Sequence, residues 1–443
     1  MNLKPIIPVF GKDELFKKIN EKINEKKVFI DDYFMVPGFN EFVFQFRQEF
    51  FKNKSNLFLP ENIVIGTGYS EDAGITPEAA IYRTKMIMRS AKKHGAENIT
   101  VFFPYLFYSR QELSFEDRDK ILENPHRFIE DKLTQSNELK HRLSQNNNLE
   151  MLLNLNDEER IKQFPDYARE IERLQRNSRL MIGSIDSLNM LIEELYHSGM
   201  NQLITVDVHN QEETNKIFEK IYGTSEDVFY NINTTDLFSQ FIKQRANELK
   251  INKDGSNIII PALDKGCYER VIEFKKTLGY ENATIIYLDK EKSLKSGKKI
   301  KETHIVKIDD PLKREELPKN YILLPIDDIG DTFSSLVKMT DKVISEYGSP
   351  SFIVASLSHA IMGKGTAYEK ISENNYNVVV TNSRPNMSFH YQGIGRKKIN
   401  VIDLSNIVSN ILINNIFNKN YEKNEFQKIN LSKTVELIPY KEI

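Results

Sequence analysis

Tyr321-Ile322-Leu323-Leu324-Pro325-Ile326-Asp327-Asp328-Ile329-Gly330-Asp331-Thr332-Phe333-Ser334-Ser335 decides how the rest of the chain is read. A short apolar run, too brief for a helix, leads straight into two adjacent acids. A hydroxyl-rich turn then opens an amphipathic stretch. Backbone N–H groups at such a turn and helix start form an anion site. Paired carboxylates beside it suit sugar hydroxyls or a Mg²⁺ ion. The plainer alternative is an acidic turn that merely caps the following helix.

Outward from this segment, β-branched or aromatic runs alternate with amphipathic stretches, the pattern of an α/β fold with a mainly parallel sheet. Strands are predicted at 62–66, 99–103, 203–208, 257–261, 283–288, 321–326, 351–356 and 378–381, with helices between them. The helix predicted at 77–94 has Pro77 near its start and Gly95 as its terminator. Each half of the chain places polar residues at a strand end: Asp207-Val208-His209 in the first and Asp327-Asp328 in the second. Open parallel sheets bind ligands at these carboxyl ends.

Residues from about 115 to 179 break the alternation. They are charged, rich in Asn and Gln, and helical in pattern, with interruptions at Pro125, Asn146 to Asn148 and Pro165. So long a segment with helical periodicity reads as an inserted helical arm or lid rather than a loop. A solvated hairpin or an oligomer contact is the bland alternative.

Bulk composition excludes several classes. The 443 residues are 40% hydrophobic and 28% charged, which is globular rather than disordered. With 61 basic and 63 acidic side chains the formal charge is −2, so no basic field points to nucleic acid. Cys267 is the sole cysteine, which rules out an intrachain disulfide and fits a reducing compartment. The first residues lack the apolar core of a signal peptide, and no run reaches the ~18 apolar residues of a membrane helix. A cytoplasmic protein with no membrane and no nucleic-acid partner is expected.

Six landmarks besides the acidic segment occur in the order found in ribose-phosphate pyrophosphokinases (PRPP synthetases). The acidic segment itself resembles that family's D-D-I-x-D-T-G-G-T ribose-phosphate loop. Phe103-Pro104-Tyr105-Leu106-Phe107-Tyr108-Ser109-Arg110-Gln111 resembles P-Y-F-G-Y-A-R-Q-D, and Ile204-Thr205-Val206-Asp207-Val208-His209 resembles I-T-V-D-L-H. Pro261-Ala262-Leu263-Asp264-Lys265-Gly266 is similar to S-P-D-x-G, and Tyr287-Leu288-Asp289-Lys290-Glu291-Lys292 to I-D-K-R-R. Ser358-His359-Ala360 and Val379-Val380-Thr381-Asn382-Ser383-Arg384-Pro385 echo T-H-G and V-V-T-D-T-I-P. The resemblance spans roughly residues 30–415 apart from the insertion.

That resemblance implies two phosphoribosyltransferase-like domains, residues 1–212 with the helical insertion and 213–420 with the ribose-phosphate loop, followed by a polar tail at 421–443. It implies transfer of the β,γ-pyrophosphoryl group of ATP to the anomeric hydroxyl of a ribose 5-phosphate moiety, with release of AMP. Phe39, Arg110, Gln111 and His209 would bind ATP, and His209 and Asp264 would hold Mg²⁺. Asp327, Asp328, Asp331, Thr332, Ser334 and Ser335 would bind the ribose phosphate. Lys290 and Lys292, on an expected flexible loop from Asp289 to Ile300, would neutralise the transferred group. The family has Arg where Lys292 stands, and Lys lacks the bidentate fork. An aromatic at Phe39 would stack on adenine from a neighbouring subunit, so a homo-oligomer, dimer or hexamer, is expected.

Two departures bear on the acceptor. Phe333-Ser334 replaces the glycine-rich pair of the phosphate loop, where glycine permits close backbone approach. The insertion follows directly upon Arg110-Gln111. Both would suit an acceptor with a substituted phosphate, and ADP-ribose is favoured over ribose 5-phosphate, as in a phage-encoded route that rebuilds NAD⁺. Two other classes share parts of the pattern. A non-catalytic regulator of a true synthetase should lose the loop lysine or the acid pair, and both are kept. A phosphoribosyltransferase that consumes PRPP would lack the Asp-x-His and Asp-Lys-x-Lys elements.

Overall fold

The computed structural model describes residues 6–9, 14–24, 33–36, 41–44, 59–67, 76–109, 115–135, 154–164, 167–168, 170–172, 174–175, 186–263, 267–295, 298–362, 366–374, 376–384, 398–413 and 437. Five short apolar runs form a parallel sheet in the order β1 (Ile6–Pro8), β4 (Asn62–Gly66), β5 (Asn98–Phe103), β6 (Gln202–Val206), β7 (Phe229–Ile232). Tyr33–Val36 (β2) and Glu41–Phe44 (β3) pair separately as an antiparallel ribbon. Within the described strands of the parallel sheet nearly every side chain is buried, which is why they read as continuous apolar runs rather than alternating ones.

A second sheet runs β10 (Lys298–Asp309), β9 (Thr284–Lys295), β8 (Ile258–Ala262), β11 (Ile322–Leu323), β13 (Phe352–Ala360), β14 (Asn377–Thr381), β15 (Ile399–Ile402). β12 (Ile326–Gly330) lies beside β13 off this path. All its pairings are parallel except the β9–β10 hairpin. The whole is a mixed α/β fold with mainly parallel sheets, as the alternation predicts.

Chain contacts divide the protein into two compact units. One, Met1–Phe107 with Glu194–Val208 and Ile221–Ile443, holds both large sheets. Its main core is continuous: Val64, Phe102 and Ile204 of the first sheet share one buried cluster with Ile258, Ile322 and Val379 of the second. The other unit, Tyr108–Glu193 with His209–Lys220, contains the helices Phe115–Glu123, Pro125–Gln135 and Asp157–Gln163. It has a small core of its own, built on Ile121, Phe128, Ile129, Leu133, Tyr167, Ile171 and Leu174. The Asp157–Gln163 helix is closed by a capping box between Asn156 and Glu159.

Three strands differ from their predicted bounds in ways that matter. The run 321–326 is split: β11 ends at Leu323 and β12 begins at Ile326. Pro325 between them has no N–H to give a ladder, which interrupts the pairing. Asp327 and Asp328 are therefore strand residues, with Asp327 in register with Leu357. The predicted strand 203–208 stops at Val206, because Asp207 has a left-handed φ of 42°. The strand predicted at 283–288 continues to Lys295, so the segment expected as a flexible loop at 289–300 is the outer part of the β9–β10 hairpin, with residues 296 and 297 outside the described set. The helix Pro77–Lys93 forms as predicted, with the Thr76 side chain accepting from the Ala79 N–H at 3.2 Å.

Candidate active site

The acidic strand β12 alternates between two environments, as its period of two requires. Asp328 is buried, while Asp327 is half-buried. Asp327 Oδ1 accepts from the Asp328 N–H at 2.9 Å and from the Cys267 thiol at 3.6 Å. Beyond the strand, Asp331 is exposed and Thr332 half-buried, and the helix Ser334–Tyr347 begins immediately after Phe333.

Phe333 is the N-cap of that helix and has φ 59° and ψ 7°. This is the left-handed conformation that glycine adopts readily and a bulky residue adopts at a cost. The compensation is packing. The Phe333 ring is buried in a cluster with Leu336, Leu357 and Met362. Gly330 makes room for it: a Cβ there would sit 2.7 Å from Leu357 Cδ1 and 3.2 Å from Phe333 Cε2. The ring thus belongs to the core, and the backbone path of a glycine turn is kept without the glycine. Phe333 provides no capping side chain for the first-turn N–H groups of the helix.

A lysine that sequence reasoning missed meets this turn. Lys370, on the helix Thr366–Glu373, donates to the Thr332 carbonyl at 2.9 Å and to Ser334 Oγ at 2.7 Å. The Thr332 hydroxyl also donates to Ser334 Oγ, at 3.1 Å.

Asp207, at the end of β6, forms the second part. Its Oδ2 accepts from Arg270 at 2.5 Å, from the Thr234 hydroxyl at 3.0 Å, and from the Ser358 hydroxyl. Arg270 stands on the helix Tyr268–Leu278 that follows β8, and Ser358 is on β13, so one carboxylate ties the first sheet to the second. Burial alone would lower the Arg270 pKa. Asp207, then Asp328 and Asp327, outweigh it and hold the guanidinium charged well above its ordinary value. The acid pair and Asp207 therefore all act electrostatically on one half-buried cation.

His359 lies in the same network and is fully buried. Its Nε2 is 3.3 Å from the Asp207 carbonyl oxygen, which can only accept, so Nε2 carries the proton. Nδ1 then accepts from the Ser383 hydroxyl at 2.7 Å. Burial lowers the His359 pKa, more than Asp207 and Asp328 raise it, which keeps the ring neutral. The Tyr105 ring packs edge-on against it, with centroids 4.8 Å apart.

His209 is exposed in the turn after Asp207, and Asn210 caps the next helix by accepting from the Glu213 N–H. Lys290 and Lys292 are β9 residues placed by backbone register opposite Thr303 and Lys301. Phe39, Arg110, Gln111 and Asp264 lie outside the described residues. Ser334 and Ser335 open the helix as predicted, Ser335 being exposed. Arg270 had one sequence signal: it is a cation in the first turn of a helix, where the dipole disfavours it unless an anion is near. Lys370 had none, being 38 residues from Thr332.

Among the described residues no group of three or more His, Cys, Asp or Glu side chains is placed to hold a metal, and no helix is long and apolar enough to cross a membrane. No protein-family profile and no curated protein matches this chain. Among solved structures, phosphoribosylpyrophosphate synthetase from Mycobacterium smegmatis superposes with a TM-score of 0.55 over 93% of this chain and 98% of its own, at 12% identity. A hypothetical protein from Neisseria gonorrhoeae with bound ppGpp covers only 28% of this chain, at a TM-score of 0.20 and 9% identity. The chain therefore has a mixed α/β fold like that of PRPP synthetase.

Proposed function

We propose that this protein is a pyrophosphokinase that moves the β,γ-pyrophosphoryl group of ATP to the anomeric hydroxyl of a ribose 5-phosphate moiety. The observation that carries this reading is the acid pair on β12 running directly into an uncapped, hydroxyl-rich helix start. Carboxylates there suit the ribose hydroxyls, and the helix start suits the phosphate.

In this reaction the anomeric oxygen attacks the β-phosphorus, the bond from that phosphorus to the α,β-bridging oxygen breaks, and AMP leaves. The hydroxyl proton passes to solvent. Asp327 and Asp328 orient the ribose, while Asp331, Thr332, Ser334 and Ser335 surround its phosphate. Lys290 and Lys292 spread the charge of the transferring group. Phe39, Arg110 and Gln111 engage ATP, with Phe39 supplied by a second copy of the chain in a homo-oligomer.

The predicted donors are one imidazole and one carboxylate. By its chemistry such a donor set suits Mg²⁺, which needs few protein ligands and keeps phosphate oxygens and waters. His209 and Asp264 would hold it. When bound it neutralises the polyphosphate.

ADP-ribose and ribose 5-phosphate present the same hydroxyl and the same proximal phosphate. ADP-ribose is favoured on two grounds. The glycine pair that lets backbone wrap a bare phosphate is absent, and an inserted segment follows Arg110-Gln111. Phe333 does not argue against bare phosphate by bulk, because its ring is in the core. The test is AMP release from ATP and Mg²⁺ with each acceptor in turn. Stoichiometric AMP with ADP-ribose, exceeding that with ribose 5-phosphate, is the expected result. The reverse ranking overturns the acceptor assignment, and no AMP with either overturns the reaction and favours a non-catalytic regulator.

A further inference from the structure

We propose that Lys370 is a phosphate-binding cation of the acceptor loop, polarising Ser334 and giving an ammonium N–H of its own to the acceptor's ribose-linked phosphate. The inference rests on the reaction proposed above and adds a residue that neither the motif nor its order along the chain supplies.

An ammonium group has three N–H donors and no acceptor. Two are used, on the Thr332 carbonyl and on Ser334 Oγ. Among the described residues these are its hydrogen-bond partners, and no carboxylate pairs with it. Lys370 is half-buried, so its charge is only partly compensated by water. A third donor remains for an anion.

Ser334 is set by the same contacts. A hydroxyl has one proton and two lone pairs. Ser334 Oγ accepts from Lys370 and from Thr332, which occupies both lone pairs. Its own proton must therefore be donated elsewhere. Without Lys370 the hydroxyl could rotate to accept from Thr332 and use its remaining freedom otherwise. With Lys370 in place, Ser334 is held as a donor.

The helix start completes the picture. Phe333 at the N-cap leaves the first turn without a side-chain acceptor, so the positive end of a 14-residue helix faces the same turn. An ammonium beside the positive end of a helix is unfavourable unless an anion joins them. A phosphate satisfies the ammonium, the Ser334 hydroxyl and the helix end together. The contribution formerly expected of a glycine-rich backbone is thus carried in part by a side chain from another element.

The test compares wild type with Lys370→Met and Lys370→Arg in the full chain, by calorimetric binding of ribose 5-phosphate and of ADP-ribose, and by steady-state kinetics. Lys370→Met should weaken acceptor Kd and raise acceptor KM by about tenfold or more, while the KM for ATP and the unfolding temperature hold. Lys370→Arg should recover part of the acceptor affinity, since it keeps the charge. Unchanged acceptor Kd and KM in Lys370→Met would overturn the inference. So would a parallel loss of ATP affinity, acceptor affinity and thermal stability, which marks a purely structural clamp. If wild type turns over and Lys370→Met matches it, only the role of Lys370 falls. If wild type binds the acceptor through Lys370 yet releases no AMP, the reaction falls and the phosphate contact stands. Absence of acceptor binding by wild type overturns both.

Discussion

Arg270 donates to Asp207 Oδ2 at 2.5 Å, and through that contact the helix behind β8 holds the end of β6. Asp207 adopts a left-handed φ of 42°, a conformation that persists in a non-glycine residue only where its surroundings impose it. Arg270, Thr234 and Ser358 impose it from three directions. The same guanidinium also feels the charges of Asp328 and Asp327, so the acid pair on β12 and the end of β6 are electrostatically linked through it.

Removing Arg270 alone leaves the buried Asp207 carboxylate without its cation. Arg270→Ala should destabilise the fold by about 3–5 kcal/mol in denaturant unfolding. Arg270→Ala with Asp207→Ala should cost less than the sum of the two single changes, because the Asp207 carboxylate is then not left unpaired. Strict additivity in that cycle would show that the pair is not coupled.

His359 makes stability depend on pH. Burial lowers its pKa in the folded protein below the unfolded value of about 6.5. The unfolded chain therefore binds more protons as pH falls. The stabilisation is fully present above about pH 6.5 and is lost as pH drops from there toward the lower folded pKa. His359→Asn should flatten the acid limb of the stability profile relative to wild type over that window. Parallel profiles for the two proteins would contradict the buried neutral histidine.

Phe333 should reverse a familiar order. Glycine is ordinarily about 0.5–1 kcal/mol worse than alanine in ordered structure. At φ 59° the penalty falls on alanine instead, and both variants lose the buried ring, at about 3–5 kcal/mol for alanine. Phe333→Gly should therefore be the more stable of the two by thermal unfolding. If Phe333→Ala is the more stable, the left-handed turn is not what the loop requires.

Much of the fold was legible from pattern alone. The run 62–66 coincides with β4, since fully buried parallel strands announce themselves as unbroken apolar stretches. Pro325 was visible but its effect was not read, so the acids were expected after a strand and are found within one. The lysine-rich stretch after Tyr287 suggests a solvated loop by composition, yet its backbone pairs for most of its length with residues 298–309. The acid pair and the Ser334 helix start were legible because they adjoin in sequence. Arg270 and Lys370 were not, because their partners are brought to them by the packing of separate elements. In sequence Phe333 shows only that a loop glycine is missing, and it is the fold that turns its ring toward the core.

The central claim is tested most directly by ³¹P NMR of the protein with ATP, Mg²⁺ and ADP-ribose or ribose 5-phosphate. The three resonances of ATP should be replaced by that of AMP, from the α-phosphorus, and those of a pyrophosphoryl ester on the acceptor, from the β and γ. Lys290→Ala and Asp328→Asn should each slow that conversion by about a hundredfold or more while the protein remains folded. ATP left intact with both acceptors, or cleaved to ADP and phosphate with no acceptor ester formed, would contradict it.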